Sequence, residues 1–255
     1  MNLSDLLEEL RFNILNDRTT RVSGSSDYLW TDATLVRYID EAQRRFAVQG
    51  LVIRDSTTTE VTDIALVAGQ IVYPVHESVI AVLSARRSTD DADLRRVGHA
   101  ILGAYRPPSE TWVDPSNYNS LPPGPPLAYS TDESMAEDDG GSMGAVNLRV
   151  YPTPSAAEAG SIIKMRVVRK PLERFVETNL GAVPEIPEEH HLEMLDWAAY
   201  LALRIVDDDA GSPKRATDFR ASFEDHVRRA RTTAVRKLFA PIPWGFGRNG
   251  FSWEH

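Results

Sequence analysis

Apolar residues recur at helical spacing towards both ends of the chain and at strand spacing in the middle. Leu3, Leu7, Leu10 and Ile14 share one face of a helix expected from about Asn2 to Asn16. Leu35, Ile39, Ala42 and Phe46 repeat that spacing in a second helix, reached through a polar connection from Thr19 to Asp27. Thr31 is placed as its N-cap, with Trp30 and Leu35 set to staple the entry. A third helix is expected from Pro187, a first-turn residue followed by Glu188 and Glu189 at the positive dipole end. Its apolar residues, Leu192, Met194, Leu195, Ala198, Ala199, Leu201, Ala202, Ile205 and Val206, spread around much of the circumference and predict burial on several sides. Asp207 to Gly211 breaks the pattern and Ser212-Pro213 restarts it. The fourth helix then carries Phe219, Phe223, Val227, Ala230, Ala234 and Leu238 on one stripe.

Residues between these helix pairs read as strands and loops. Val146, Leu148 and Val150 alternate with polar neighbours, as do Ile163, Met165 and Val167, so each run predicts a half-buried strand. Ile71 to Val75 and Val79 to Ala85 are further β-prone runs. Seven prolines between Pro107 and Pro126 exclude a helix or a central strand there. The expected fold class is α+β, mainly α: a bundle of four helices, two N-terminal and two C-terminal, with an inserted β/loop region and an extended C-terminal tail. The expected boundaries are a helix pair at 1–50, the β-rich insertion at 51–183, the closing pair at 184–240 and the tail at 241–255.

Composition narrows the classes. With 255 residues and 42% hydrophobic positions the chain can build a sizeable core. It has no cysteine, which removes disulfides and thiolate metal sites. No apolar run approaches the length of a membrane span, and the first residues lack a signal peptide's basic and apolar regions, so a cytosolic protein is expected. A net charge of −9 argues against a protein devoted to gripping nucleic acid. The charge is uneven, however. Residues 212–237 hold eight basic side chains against three acidic ones, while Asp132, Glu133, Glu137, Asp138 and Asp139 make an acidic run.

Candidate chemistry is sparse. Gly245, Gly247 and Gly250 reproduce the dinucleotide-binding glycine spacing, but they follow a helix instead of joining a strand to one. No phosphate-binding loop ends in Gly-Lys-Ser/Thr, and none of the four lysines has a carboxylate two residues before it. His190 and His191 lie beside Glu188, Glu189 and Glu193, yet adjacent histidines on a helix point about 100° apart, so at most one could join Glu193. A surface cluster at a helix start is expected there. Asp207, Asp208 and Asp209 lack the glycine and glutamate of a calcium loop and read as a solvated turn. The expectation is no enzyme, no catalytic set, no metal and no cofactor.

The tail remains. Trp244, Phe246, Phe251 and Trp253 sit among prolines and glycines from Pro241 onward and would each expose on the order of 100 Å² of apolar surface in water. Two readings stay open: folding back onto the chain, or docking to another protein.

The motif Trp30-Thr-Asp-Ala-Thr-Leu35-Val-Arg-Tyr38-Ile-Asp-Glu41-Ala42-Gln43-Arg44 resembles the opening motif of head-to-tail adaptor proteins of tailed bacteriophages. Leu66-Val-Ala-Gly69-Gln-Ile-Val-Tyr73-Pro74 is similar to their middle segment. Pro184-Glu-Ile-Pro187-Glu-Glu-His-His191, with the following Ala- and Leu-rich helix and Phe219-Arg-Ala-Ser-Phe223, resembles their paired C-terminal helices. The proline-rich and acidic segments have no counterpart in that pattern. The resemblance implies a structural virion protein at the capsid–tail junction, assembled in the host cytoplasm. It would form a ring, typically of twelve copies, beneath the portal. Its partners would be the portal protein, a tail or further connector protein and copies of itself, with genomic DNA passing through the lumen without sequence-specific binding and with no membrane. By the same resemblance Pro241, Trp244, Phe246, Arg248, Phe251 and Trp253 would meet the portal, above a basic face of the fourth helix bearing Arg228, Arg229, Arg231 and Arg236. The alternatives are a DNA-binding protein using helix 212–237, with Arg215 and Arg220 among its phosphate contacts, and an unrecognised enzyme.

Overall fold

A computed structural model describes residues 1–17, 28–97, 122–133, 146–204 and 213–238. The first helix, α1 (Leu3–Glu8), starts from a capping box in which the Asn2 side chain accepts from the Asp5 backbone N–H and the Asp5 carboxylate accepts from that of Asn2. It then widens into a π-helical turn (Glu9–Ile14). That extra width rotates the apolar stripe: Leu15 becomes buried and Ile14 only partly so, with Leu6 fully buried beside Leu3 and Leu10. Helix α2 (Asp32–Gly50) begins where Thr31 accepts from the Thr34 N–H, and ends at Leu51 in the left-handed region. Leu35, Ile39, Ala42 and Phe46 are all fully buried on its inner face.

The third predicted helix starts later than expected. Pro187 leads into a 3-10 turn at Glu188–His190, followed by further turns, before α4 proper (Leu195–Leu203). Leu192, read as part of a helix buried all round, is 53% exposed because it lies in that turn. Met194, Leu195, Ala198, Ala199 and Ala202 are fully buried. Helix α5 (Pro213–Leu238) contributes Ala216, Phe223, Val227 and Ala230 to the core it shares with α2 and α4, and Phe223 packs edge-on to Phe46. These helices, with Ile53, Phe175 and Ile186, share one apolar core.

A second core lies between two sheets. In the first, β8 (Ile162–Arg169) is central: β4 (Val79–Arg87) runs antiparallel along one side, and β1 (Arg54–Asp55) and β2 (Asp63–Ala65) lie end to end along the other, separated by the short helix α3 (Thr59–Thr62). In the second the order is β3 (Val72–Pro74), β7 (Val146–Tyr151), β6 (Ala128–Glu133), β5 (Arg95–Arg96), with only β5 and β6 parallel. Ile163, Met165 and Val167 of β8 enter one cluster with Leu148 and Val150 of β7, Tyr73 and Tyr129. The Tyr73 hydroxyl donates to backbone oxygen in the 67–70 turn and accepts from the Val67 N–H, closing a turn in which Gly69 has φ +79°.

The expected mainly helical four-helix bundle is therefore incorrect. The described residues form five helices and eight strands in two sheets, and the β region owns a core of its own. Two causes are evident. Strands β1, β2, β3 and β5 have two or three residues each, too short to display alternation. Strand β4 has two register shifts against β8, which scramble its inward and outward positions.

Candidate interaction surfaces

The long amphipathic α5 separates its stripes cleanly. Arg228, Arg229, Arg231 and Arg236, the predicted basic face, are all exposed, but they do not form one uniform patch. Arg228 and Arg229 both pair with Asp225, whose carboxyl is held below its usual range chiefly by the Arg228 hydrogen bond. Arg220 pairs with Glu224 at 2.9 Å, and Arg215 donates to the Ile14 carbonyl. Arg231, Arg236 and Lys237 form no ion pair among the described residues. Ion pairs within α5 thus engage three of the basic side chains that a DNA-gripping helix would present. The predicted portal-facing residues Pro241, Trp244, Phe246, Arg248, Phe251 and Trp253 lie outside the described residues, as do Asp207 to Asp209 and the glycines 245, 247 and 250.

A polar joint ties the sheets to the helices. Asp55 is 6% exposed and accepts from the backbone N–H of Thr57 and Thr58, from both threonine hydroxyls and, at 2.6 Å, from Arg169 Nε. Burial alone would raise its pKa, yet those donors hold it well below the ordinary carboxylate range. Arg169 also pairs with Glu185, whose other oxygen accepts from the Leu172 and Glu173 N–H groups. The Glu185 N–H donates to Gln43 in the buried face of α2, and Asp40 accepts from the Phe175 N–H. Sequence reading missed this joint. The bonds that join its halves, Asp55 to Arg169, Asp40 to Phe175 and Gln43 to Glu185, span 114 to 142 positions, and no local spacing announces them.

The histidine pair separates as its spacing required. His190 stacks near Phe46 and lies 2.6 Å from Glu193, while His191 is turned inward and is 3% exposed. The expectation of a surface cluster fails for His191: its Nε2 donates to the Ile186 carbonyl, and burial depresses its pKa. Glu193 meets a third imidazole, His226 of α5, at 3.0 Å, and His226 lies 3.7 Å from Asp196, whose pKa is raised by burial. His190, Glu193 and His226 edge a cleft of about 270 Å³ that also takes in Arg54, Arg229 and Lys237. Among the described residues no group of three or more His, Asp or Glu side chains is placed to hold a metal ion.

The outward face of the first sheet is basic. Arg86 of β4 stands directly opposite Lys164 of β8, and Ser84 opposite Arg166; Arg86, Lys164 and Arg166 are all exposed. Arg54 pairs across from Val168, on the same face as Arg166, and its guanidinium donates to the Ala234 carbonyl of α5. Burial, and then Arg166, lower the Arg54 pKa.

No helix of the described residues is long and apolar enough to cross a membrane. No curated protein matches the chain. A family model does: residues 1–242 match the SU10 adaptor protein family, so the aromatic tail beyond Ile242 falls outside the matched range. Spanning both helix pairs and the two-sheet region between them, that match makes the chain a member of the SU10 adaptor protein family, a phage head-to-tail adaptor family.

Proposed function

We propose that this protein is the structural connector that forms a ring beneath the portal, joins the filled capsid to the tail and continues the DNA channel. The observation that carries the reading is the family match over residues 1–242, which takes in the five helices and eight strands of the described residues. Its partners are the portal, the next protein towards the tail and about twelve copies of itself, the last being the usual number implied by the resemblance.

Within this reading Pro241 to His255 is the portal-docking segment. It carries Trp244, Phe246, Phe251 and Trp253 directly after α5, and large aromatics with arginine dominate the energetics of most interfaces. Repetition around a ring would multiply a weak individual contact through effective concentration. Electron microscopy of the purified chain mixed with its portal should show a ring seated on the portal. A chain lacking 241–255 should remain folded and fail to seat; normal joining by that truncation would remove the docking role. The DNA-binding alternative has less support, because Arg220, Arg228 and Arg229 are engaged by Glu224 and Asp225.

A further inference from the structure

Like charges stand opposite one another on the exposed face of the first sheet. Arg86 and Lys164 are direct cross-strand partners, an arrangement that disfavours the pairing unless something else answers the charge. Arg166 follows two residues along β8 on the same face, Arg54 continues the row on β1, and Arg54 shares its cleft with Lys237 at the end of α5. Among the described residues Arg86 is answered by Asp91 at 3.3 Å and by Asp93 across an isolated bridge, Asp63 stands opposite Lys164 on β2, and Glu189 and Glu193 line the cleft of Arg54 and Lys237, while no carboxylate pairs with Arg166. Lys164 and Arg166 form no ion pair there. The row therefore runs Arg86, Lys164, Arg166, Arg54, Lys237 on a chain whose net charge is −9.

The same chain carries a matching opposite. The segment from Asp132 to Asp139, which begins at the end of β6, holds five carboxylates and no basic residue. Its first two residues, Asp132 and Glu133, end β6 of the second sheet, whereas the basic row lies on the first sheet's face turned away from the shared core. We propose that the basic row receives the acidic 132–139 segment of a second copy. Two different faces of one chain then meet head to tail, the arrangement that closes into a ring when the rotation allows. A second copy is the occupant argued for, because the same chain supplies a short run of five carboxylates whose charge complements the row. The inference rests on the connector reading and names one contact between its copies.

The test uses a mixture of unlabelled and isotope-labelled full-length chains treated with a carbodiimide, which joins a lysine directly to a carboxylate it touches. Mixed-isotope links from Lys164 or Lys237 to Glu137, Asp138 or Asp139 are expected. They should fall at least about tenfold when salt is raised towards 1 M, where the screening length is about 3 Å. The double reversals Lys164→Glu/Arg166→Glu and Glu137→Lys/Asp138→Lys should each abolish the links between the two surfaces, and mixing the two variant chains should restore association. Links confined to single chains, no links, or no rescue on mixing would overturn the proposal. Salt-sensitive retention of duplex DNA that is lost in Lys164→Glu/Arg166→Glu, without mixed-isotope links, would reassign the row to phosphate. Rings that seat normally on the portal despite either reversal would refute the contact while leaving the connector reading intact. A wild-type chain that never seats on the portal would count against the connector reading itself.

Discussion

The helical core and the two-sheet core are held together in opposite ways. The helical core is gathered from residues 3–53 and 175–230, so each of its long elements depends on partners far away in the chain. The sheet core lies within residues 61–167, and its short strands depend on their register against β8 and β7. Long elements advertise themselves by periodicity but do not say what they pack on. Short strands reveal little alone and are specified by their neighbours. The Asp55–Arg169–Glu185–Gln43 joint is where the two kinds of order meet.

Phe223→Ala should have the largest effect. It removes a fully buried ring that packs on Phe46 and Trp197, costing about 3–5 kcal/mol, measurable by urea unfolding. Hydrogen exchange should rise in α2, α4 and α5 more than in β7 and β8; equal rises would erase the distinction between the cores. Leu148→Ala makes the reciprocal cut, at about 2–5 kcal/mol, with faster exchange concentrated in β7 and β8.

Asp55→Asn tests the joint, with an expected loss of about 2–3 kcal/mol, since it weakens hydrogen bonds made to a charged acceptor. The pH dependence has a definite sign. The folded-state pKa of Asp55 is depressed relative to about 3.9 in the unfolded chain, so the unfolded state binds the proton more readily. Its stabilisation is complete above roughly pH 5 and is lost as pH falls towards the folded value. Asp55→Asn should flatten the acid limb of the stability profile, and an unchanged limb would remove Asp55 as its source. Thr31→Ala, which deletes the α2 cap, should cost about 1 kcal/mol. Arg231→Ala should change stability by less than about 0.5 kcal/mol, because the side chain is exposed and unpaired among the described residues.

Legibility followed the same division. The spacing of Leu35, Ile39, Ala42 and Phe46 placed α2 and its buried face, and Thr31 placed its start. The Phe219-to-Ala234 stripe did the same for α5, and the alternations at 146–150 and 163–167 located β7 and β8. The π-helical turn in the first helix was invisible, because one extra backbone residue per turn leaves no compositional trace. So were β1 and β2, which became strands only through pairing with β8. Of the candidate surfaces, the basic residues of α5 were visible as a composition, but their partial neutralisation by Asp225 and Glu224 required coordinates. The row from Arg86 to Lys237 could not be read at all, since it is assembled by register across more than a hundred positions.

The wide separation of the helical core's two halves also has a consequence for biosynthesis. Chains emerge from the ribosome N-terminus first, at roughly 5–20 residues per second. Leu3, Leu35 and Phe46 therefore leave the ribosome well before Phe223 and Ala230, the side chains that share their core. The two sheets, complete at Arg169, can close while α1 and α2 still lack their cover. For several seconds of translation the first helices made are the last to find shelter, and a chaperone acting on the nascent chain would find its apolar target near the N-terminus.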